Sequence, residues 1–298
     1  MSNEFVSIII VNWYGERFIP KLFDSLRNQT YSNYEVIFLD NNSKDKSINL
    51  VKDIKRSFAN HINIIQMSEN TGYAKGNNIA IKKAKGSYIL LLNNDVYLAK
   101  DCLEKLISAS TKADMVAPKL LYPSGKIQKS ISGVPRLRDV FYSSIGLSYI
   151  SPRFDKWLLS NFEYNKRQII NAQPMFSALL INKNVCNKVG DMDEKLPIFW
   201  NDVDWFLRYS RLGFICFYAP EAVAYHHHGA SVNKKGRITK IIDSTMSMFY
   251  FFSKNYKLTI MQKSLLLVIC IYTPIFRLLR EIIVVFMNSG NKKTHAKL

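Results

Sequence analysis

Three apolar runs, each ending in a cluster of Asn, Asp or Ser and separated by helical patterns, restrict this chain to few folds. Phe5 to Val11 runs into Asn12, Tyr34 to Leu39 into Asp40-Asn41-Asn42-Ser43, and Gly86 to Leu92 into Asn93-Asn94-Asp95. The last run is too continuously apolar to alternate and too short for a membrane span, so it reads as a strand buried on both faces. Between the runs, Phe18 to Leu26 has apolar residues at helical spacing, and a helix is expected from about Asp45 to Phe58. After a short strand, Ile62 to Gln66, another helix opens within Asn70 to Asn78 and runs to about Ala84. Alternation of this kind implies right-handed crossovers, a parallel sheet and polar loops gathered on one edge. Ligands of open α/β sheets bind at that edge.

The second half is less regular. Lys119 to Ser132 has strand character, Arg136 to Phe162 is aromatic and mixed, and Ile169 to Ile181 reads as a strand pair. Phe199-Trp200-Asn201-Asp202-Val203-Asp204 then opens a helix through about Leu212, and Ile215 to Tyr218 is a strand. Tyr225 to Ser231 carries three consecutive histidines.

Composition excludes several classes. The 298 residues are 48% hydrophobic, enough for one large α/β domain or two smaller ones. Four scattered cysteines without CxxC spacing argue against a disulfide scaffold or a cysteine zinc site and fit a reducing compartment. The first apolar run follows Glu4 and ends at Asn12, so no secretory signal is expected. A net charge of +18 points to an anionic partner.

That charge is concentrated. Residues 234–298 hold twelve Lys and Arg against Asp243 and Glu281, which places +10 of the +18 there. Apolar stretches, Leu265 to Phe276 and Ile282 to Met287, interleave with it, but neither reaches the roughly 20 residues that span a bilayer. Basic residues flanking short apolar helices suit a segment lying in a membrane interface, each charge contributing about 1 kcal/mol near anionic lipid. The alternative is a helical hairpin packed on the core. No nucleic-acid motif accompanies the charge, so nucleic acid is not expected as a partner.

Five clusters carry chemistry. Asp95 at a strand end can hold a divalent cation against nucleotide phosphates, or simply form a turn with Asn94. Asp40 and Asn42 can read a base or ribose edge, while Ser43 and Asp45 are also good helix caps. Asn70, Gly72, Gly76 and Asn77 are neither a P-loop nor GxGxxG, though glycines there can let backbone approach a diphosphate. Asp202 is a candidate general base at a helix start, beside aromatics Phe199 and Trp200 able to stack on a sugar. Asn201 and Asp202 are equally ordinary caps, and Asp204 can pair with Arg208. In an extended segment His226 and His228 share a face and His227 points away, so at most two of them serve one metal.

In this order the clusters resemble the family 2 glycosyltransferases of GT-A fold, in particular a bacterial rhamnosyltransferase-like branch. The matching pieces run from Val6–Trp13 through Glu35–Ser43, Asn70–Asn77, Leu91–Asp95, Gly190–Asp193 and Asn201–Asp204 to His226–Ser231. The resemblance implies a Rossmann-like, mostly parallel central sheet flanked by helices over residues 1–235. Residues 236–298 would then be a C-terminal helical, membrane-associating segment. It further implies that Asp40 contacts the nucleotide and that Asp95 and His226 ligate Mg2+ or Mn2+, with Asp202 as catalytic base. Asn42, Asn70, Gly72, Gly76, Asn77, Asn94, Trp200 and Asp204 would line the substrates. The expected partners are a nucleoside-diphosphate sugar, with rhamnose as one candidate, and a saccharide acceptor on a polyprenyl diphosphate. The expected location is the cytoplasmic face of the cell membrane, in surface polysaccharide synthesis.

Two departures stand out: Asn201 replaces an acidic residue beside the proposed base, and Phe176 stands where the family often has Gly. The first leaves open a catalytically inactive scaffold on the same fold. A nicotinamide-dependent Rossmann enzyme is disfavoured because its glycine fingerprint is missing.

Overall fold

Strand β1 (Val6–Asn12) is apolar at consecutive positions because both faces of its sheet are covered. The computed structural model describes residues 4–145, 147, 159, 161–227 and 236–276. The chain divides into two compact units, Met1–Val134 with Leu158–Lys234, and Pro135–Trp157 with Lys235–Leu298. The second unit thus also takes in residues from the middle of the chain.

In the first unit, β1 is joined by β2 (Tyr34–Asp40), β3 (Ile62–Gln66), β4 (Tyr88–Leu92), β5 (Val96–Leu98) and β6 (Met115–Leu121). With β8 (Gln168–Ile170), β10 (Ala178–Asn182) and β11 (Cys216–His226) they form a nine-stranded sheet. Its order is β3-β2-β1-β4-β10-β6-β11-β5, with β8 on β11. A separate antiparallel pair joins β7 (Ile131–Ser132) to β9 (Gln173–Pro174). Strands β1, β2, β3, β4, β6 and β11 point one way; β5, β8 and β10 oppose them.

Side-chain alternation along β1 builds the two layers. Val6, Ile8 and Ile10 pack with Ile19, Leu22, Phe23 and Leu26 of α1 (Ile19–Arg27), Val51 of α2 (Ser47–Lys55) and Leu103 and Leu106 of α4 (Cys102–Ala109). Ile9 faces the opposite layer, with Ala74 and Ala80 of α3 (Gly72–Lys83), Val185 of α6 (Lys183–Val189) and Trp205 and Phe206 of α7 (Asn201–Arg211). The α1 stripe recurs at i, i+3, i+4 and i+7, and Pro20 sits in its first turn, where a missing N–H costs nothing.

The structure departs from the local reading in two places. The segment Ile169 to Ile181 forms three short strands, and β10 inserts antiparallel between β4 and β6, pairing Ala178 with Leu92. Strand β11 continues well beyond Tyr218: the register shift between Ala219 and Val223 absorbs Pro220, which has no N–H for a ladder. Both departures carry the second half of the chain to the Asp95 loop.

The second unit contains α5 (Leu137–Ser144), α8 (Arg237–Asn255) and a helix at 260–276. The Cys270 thiol reaches the Thr245 carbonyl at 3.9 Å, so these two long helices touch. No helix among the described residues is long and apolar enough to cross a membrane.

Candidate active site

The ends of β1, β2 and β4 are tied by side chains. Asn12 lies opposite Asp40 in the parallel ladder, and its Nδ2 donates to Asp40 Oδ1 at 2.7 Å and to Ser43 Oγ at 3.2 Å. The Ser43 amide donates to Asp40 Oδ2 at 2.9 Å, and Asn94 Nδ2 donates to Asn12 Oδ1 at 2.8 Å. The sequence reading placed Asp40 and Asn94 on the nucleotide. Asp40 is fully buried and both its oxygens accept from internal donors, while buried Asn94 braces the strand ends and also lines the cavity beside Asp95. Asn42, in the left-handed region at φ 60°, donates to the Ser68 carbonyl and accepts from Lys44, so its side chain holds loops together.

Gly15 is required by this knot. A Cβ there would lie 2.0 Å from Asn12 Oδ1 and 2.6 Å from Asn94 Nδ2. Gly15→Ala is expected to destabilise the protein by about 1–3 kcal/mol through overpacking, read as a lower urea midpoint.

Asp95 and His226 meet through the β5–β11 ladder. His226 pairs with Val96, and the His227 amide donates to the Asp95 carbonyl at 3.0 Å. This brings His226 Nε2 to 3.4 Å from Asp95 Oδ1, with both side chains buried. On the other side of the ring, Nδ1 stands 3.0 Å from the Oε1 of buried Gln128. With Nδ1–H donating to that oxygen, Nε2 presents its lone pair to the carboxylate. Two acceptors facing each other suit a shared cation, and carboxylate plus imidazole is a donor set that Mg2+ or Mn2+ accepts. Among the described residues no third His, Cys, Asp or Glu joins them, so diphosphate and water oxygens would complete the shell. His227 instead lies against Phe18 and Tyr97, at 5.1 and 5.9 Å between rings. Burial lowers its pKa, nearby Asp95 works against that, and Lys21 and Arg17 reinforce it. His228 lies outside the described residues. A cavity of about 210 Å³ adjoins Asp95 and is lined also by Arg17, Lys21, Asn94, Tyr97 and His227.

Asp202 occupies the first turn of α7. Its Oδ1 accepts from the Val203 amide at 2.9 Å, and Gln173 of β9 also bonds its side chain. Burial pushes its carboxyl pKa up, against the pull of those hydrogen bonds. The link to Asp95 is Tyr73, on α3, whose hydroxyl donates to the Phe176 carbonyl at 3.0 Å. Burial raises the Tyr73 phenol, and the carboxylates of Asp202 and Asp95 each push it further, so both lie within electrostatic reach of one ring. Phe176 itself is buried edge-on against Trp205 and fills core space.

Several residues expected at the substrates make internal contacts. Gly72, at φ +82°, has its close approach to Pro197: a Cβ would lie 2.8 Å from the Pro197 carbonyl oxygen. That same oxygen accepts from the Tyr73 and Ala74 amides at 2.6 and 3.2 Å, so a protein carbonyl caps the start of α3. Gly76 makes room for Val11, 2.9 Å from a built Cβ. Asn77 is buried and donates to the Tyr73 carbonyl, and Asn70 accepts from the Gly72 amide. Asp204 is fully buried and paired with Arg208 at 3.1 Å, which also donates to the Val189 and Asp191 carbonyls. Trp200, expected as an exposed platform, is buried, and its φ of 67° is unusual for so large a side chain. Trp200 immediately precedes α7, whose first turn holds Asp202. Gln128 and Gln173 belong to none of the polar clusters, and Tyr73 lies inside the Asn70–Asn77 piece without being singled out; pattern reading missed all three.

Solved structures share this arrangement of strands. Residues 1–349 of S. aureus TarS align with a TM-score of 0.57 at 18% identity, covering 90% of this chain and 70% of that one. A mannosyltransferase, PcManGT from Pyrobaculum calidifontis, solved with GDP-Man and Mn2+, aligns with a TM-score of 0.57 at 16% identity, covering 89% and 69%. The chain is therefore a GT-A-fold protein. It belongs to glycosyl transferase family 2, whose model matches residues 7–160. A poly(ribitol-phosphate) beta-glucosyltransferase of Bacillus spizizenii is 32% identical over 135 residues, 44% of this chain and 20% of that protein. An uncharacterized glycosyltransferase of Haemophilus influenzae is 25% identical over 227 residues, 75% of this chain and 66% of that protein. The chain covers 25, 43 and 20% of three curated relatives, less than half of each.

Proposed function

We propose that this protein transfers a sugar from a nucleoside diphosphate to a hydroxyl of a saccharide acceptor, inverting the anomeric configuration. The observation that carries the reading is the buried pair of Asp95 and His226, 3.4 Å apart beside a cavity, together with Asp202 in the first turn of α7. In the step, the bond from the anomeric carbon to the diphosphate oxygen breaks while the acceptor oxygen attacks from the opposite face. Asp202 takes the acceptor's proton as its oxygen becomes the nucleophile. Without an enzyme nucleophile the displacement is single. A divalent cation held by Asp95 and His226 would neutralise charge on the departing diphosphate. Gln128 orients the imidazole by holding Nδ1, which leaves Nε2 for the cation.

The donor class is supported by the solved relatives: TarS has been crystallised with UDP and with UDP-GlcNAc, and PcManGT with GDP-Man. Mn2+ accompanies GDP-Man in the latter, which favours Mg2+ or Mn2+ here. For the acceptor, one relative is a poly(ribitol-phosphate) transferase and another, from Methanococcus voltae, acts on a dolichyl-linked N-acetylglucosaminyl phosphate. A glycan carried on a polyprenyl diphosphate fits both, with work at the inner face of the cell membrane in surface polysaccharide synthesis. Rhamnose is one donor sugar to test. A panel of nucleoside-diphosphate sugars, with Mn2+ and a lipid-linked acceptor, should release nucleoside diphosphate for one donor well above the rest. Release with none would favour the inactive scaffold, the reading prompted by Asn201, whose amide is spent on the Leu196 carbonyl.

Gln128→Ala should weaken Mn2+ binding by about 10–100-fold, the usual cost of losing a partner that orients a metal-binding imidazole. Electron paramagnetic resonance of free Mn2+ measures it directly. Unchanged binding would detach Gln128 from the metal.

A further inference from the structure

The second unit carries a surface that sugar transfer does not use. In α8, Ile241, Thr245, Met248 and Phe252 are buried, whereas Ile238, Ile242 and Met246, four residues apart, are 58, 49 and 62% exposed. The helix at 260–276 repeats the pattern more strongly. Leu266, Ile269 and Thr273 are buried, and Ile260, Leu267, Val268, Ile271 and Ile275 are all more than half exposed. These five fall at i, i+7, i+8, i+11 and i+15, one side of a helix, interrupted only by Ser264. The single charged residue of that helix, Lys263, stands at the edge of the stripe. An uncharged apolar side of this length is an interaction surface.

Charge selects the occupant. Lys254, Lys257 and Lys263 lie along the same hairpin, and residues 234–298 carry +10. A second copy of this surface would bring like charges together, whereas an anionic lipid layer accepts both the apolar side chains and the lysines that flank them. We infer that the exposed sides of α8 and of the helix at 260–276 dock on anionic lipid, lying in the interface. The inference rests on the membrane-side part of the proposed function and not on its chemistry.

The test uses the full chain and phosphatidylglycerol vesicles, with phosphatidylcholine vesicles as the uncharged comparison. Sedimentation should bind the protein to the former, and high salt should weaken that binding. Replacing Ile242, Val268 and Ile271 together by Glu should lower the partition coefficient at least about tenfold. A second variant, with Gln at 254, 257 and 263, leaves the apolar side intact and should still lose affinity at low salt. Undiminished binding of either variant would overturn the inference, as would wild-type protein staying in the supernatant. So would a dimer in sedimentation equilibrium that the Glu variant alone dissolves. Nucleoside diphosphate release by the same variants separates this outcome from a failure of the transferase reading.

Discussion

Asp202→Asn is expected to bind donor as the wild type does and to lose about 10²–10⁴ in turnover, the usual worth of a positioned general base. That is about 2.7–5.4 kcal/mol of transition-state stabilisation. The substitution keeps size and hydrogen-bonding reach, so the Val203 amide still finds an acceptor. A second signature comes from pH. Burial raises the Asp202 pKa above the ordinary carboxylate value of about 3.9, and the base works ionised. The acidic limb of kcat/KM therefore lies higher than for a solvated Asp and disappears in the variant's residual rate. Stability moves the other way: a carboxyl with a raised folded pKa contributes stability that is complete below the unfolded pKa. That contribution is lost as pH rises through the folded value. At neutral pH the Asn variant, which never ionises, should be no less stable than the wild type. Thermal melts across pH check this, and near-normal turnover would end the assignment.

Asp95→Ala should act on binding first. Among the described residues its carboxylate is one of two side chains placed to hold the cation, so Mn2+-dependent affinity for a nucleoside diphosphate should fall at least about 100-fold. Calorimetric titration of nucleotide with and without Mn2+ measures it. Metal-independent binding should change little, because the remaining pocket cations, Arg17 and Lys21, stay in place. Equal affinities with and without Mn2+ in both proteins would remove the metal from the mechanism. Replacing His226 tests the same pair from the other side.

Much of the α/β frame could be read from the chain because its signals are local. Runs of Ile, Val and Leu that end at Asn12, Asp40 and Asp95 mark buried strands and place three loops on one edge, where the structure joins them. The pairing of Asp95 with His226 came from the resemblance, since the alternating segment alone left His226 and His228 open. What could not be read depends on partners distant in sequence. Nothing near Gly72 tells that Pro197, more than a hundred residues away, will cap α3. The pairing of Asp204 with Arg208, one helical turn on, could be read from the spacing, but the burial that encloses the pair could not. The burial of Trp200 and the antiparallel insertion of β10 are likewise decided by packing, which overrides residue type. Gln128 carries no pattern because its task, holding the far side of an imidazole, requires one buried amide and no motif.

The Pro197 carbonyl seated on the Tyr73 and Ala74 amides has a consequence for recombination between relatives. Grafting a foreign segment around Pro197 onto the half that carries α3 must preserve that seat. Any residue larger than Gly at position 72 would push the graft away from α3 and carry its carboxylate off line. Chimeras that exchange both sides of the seat together should retain activity where piecemeal swaps lose it.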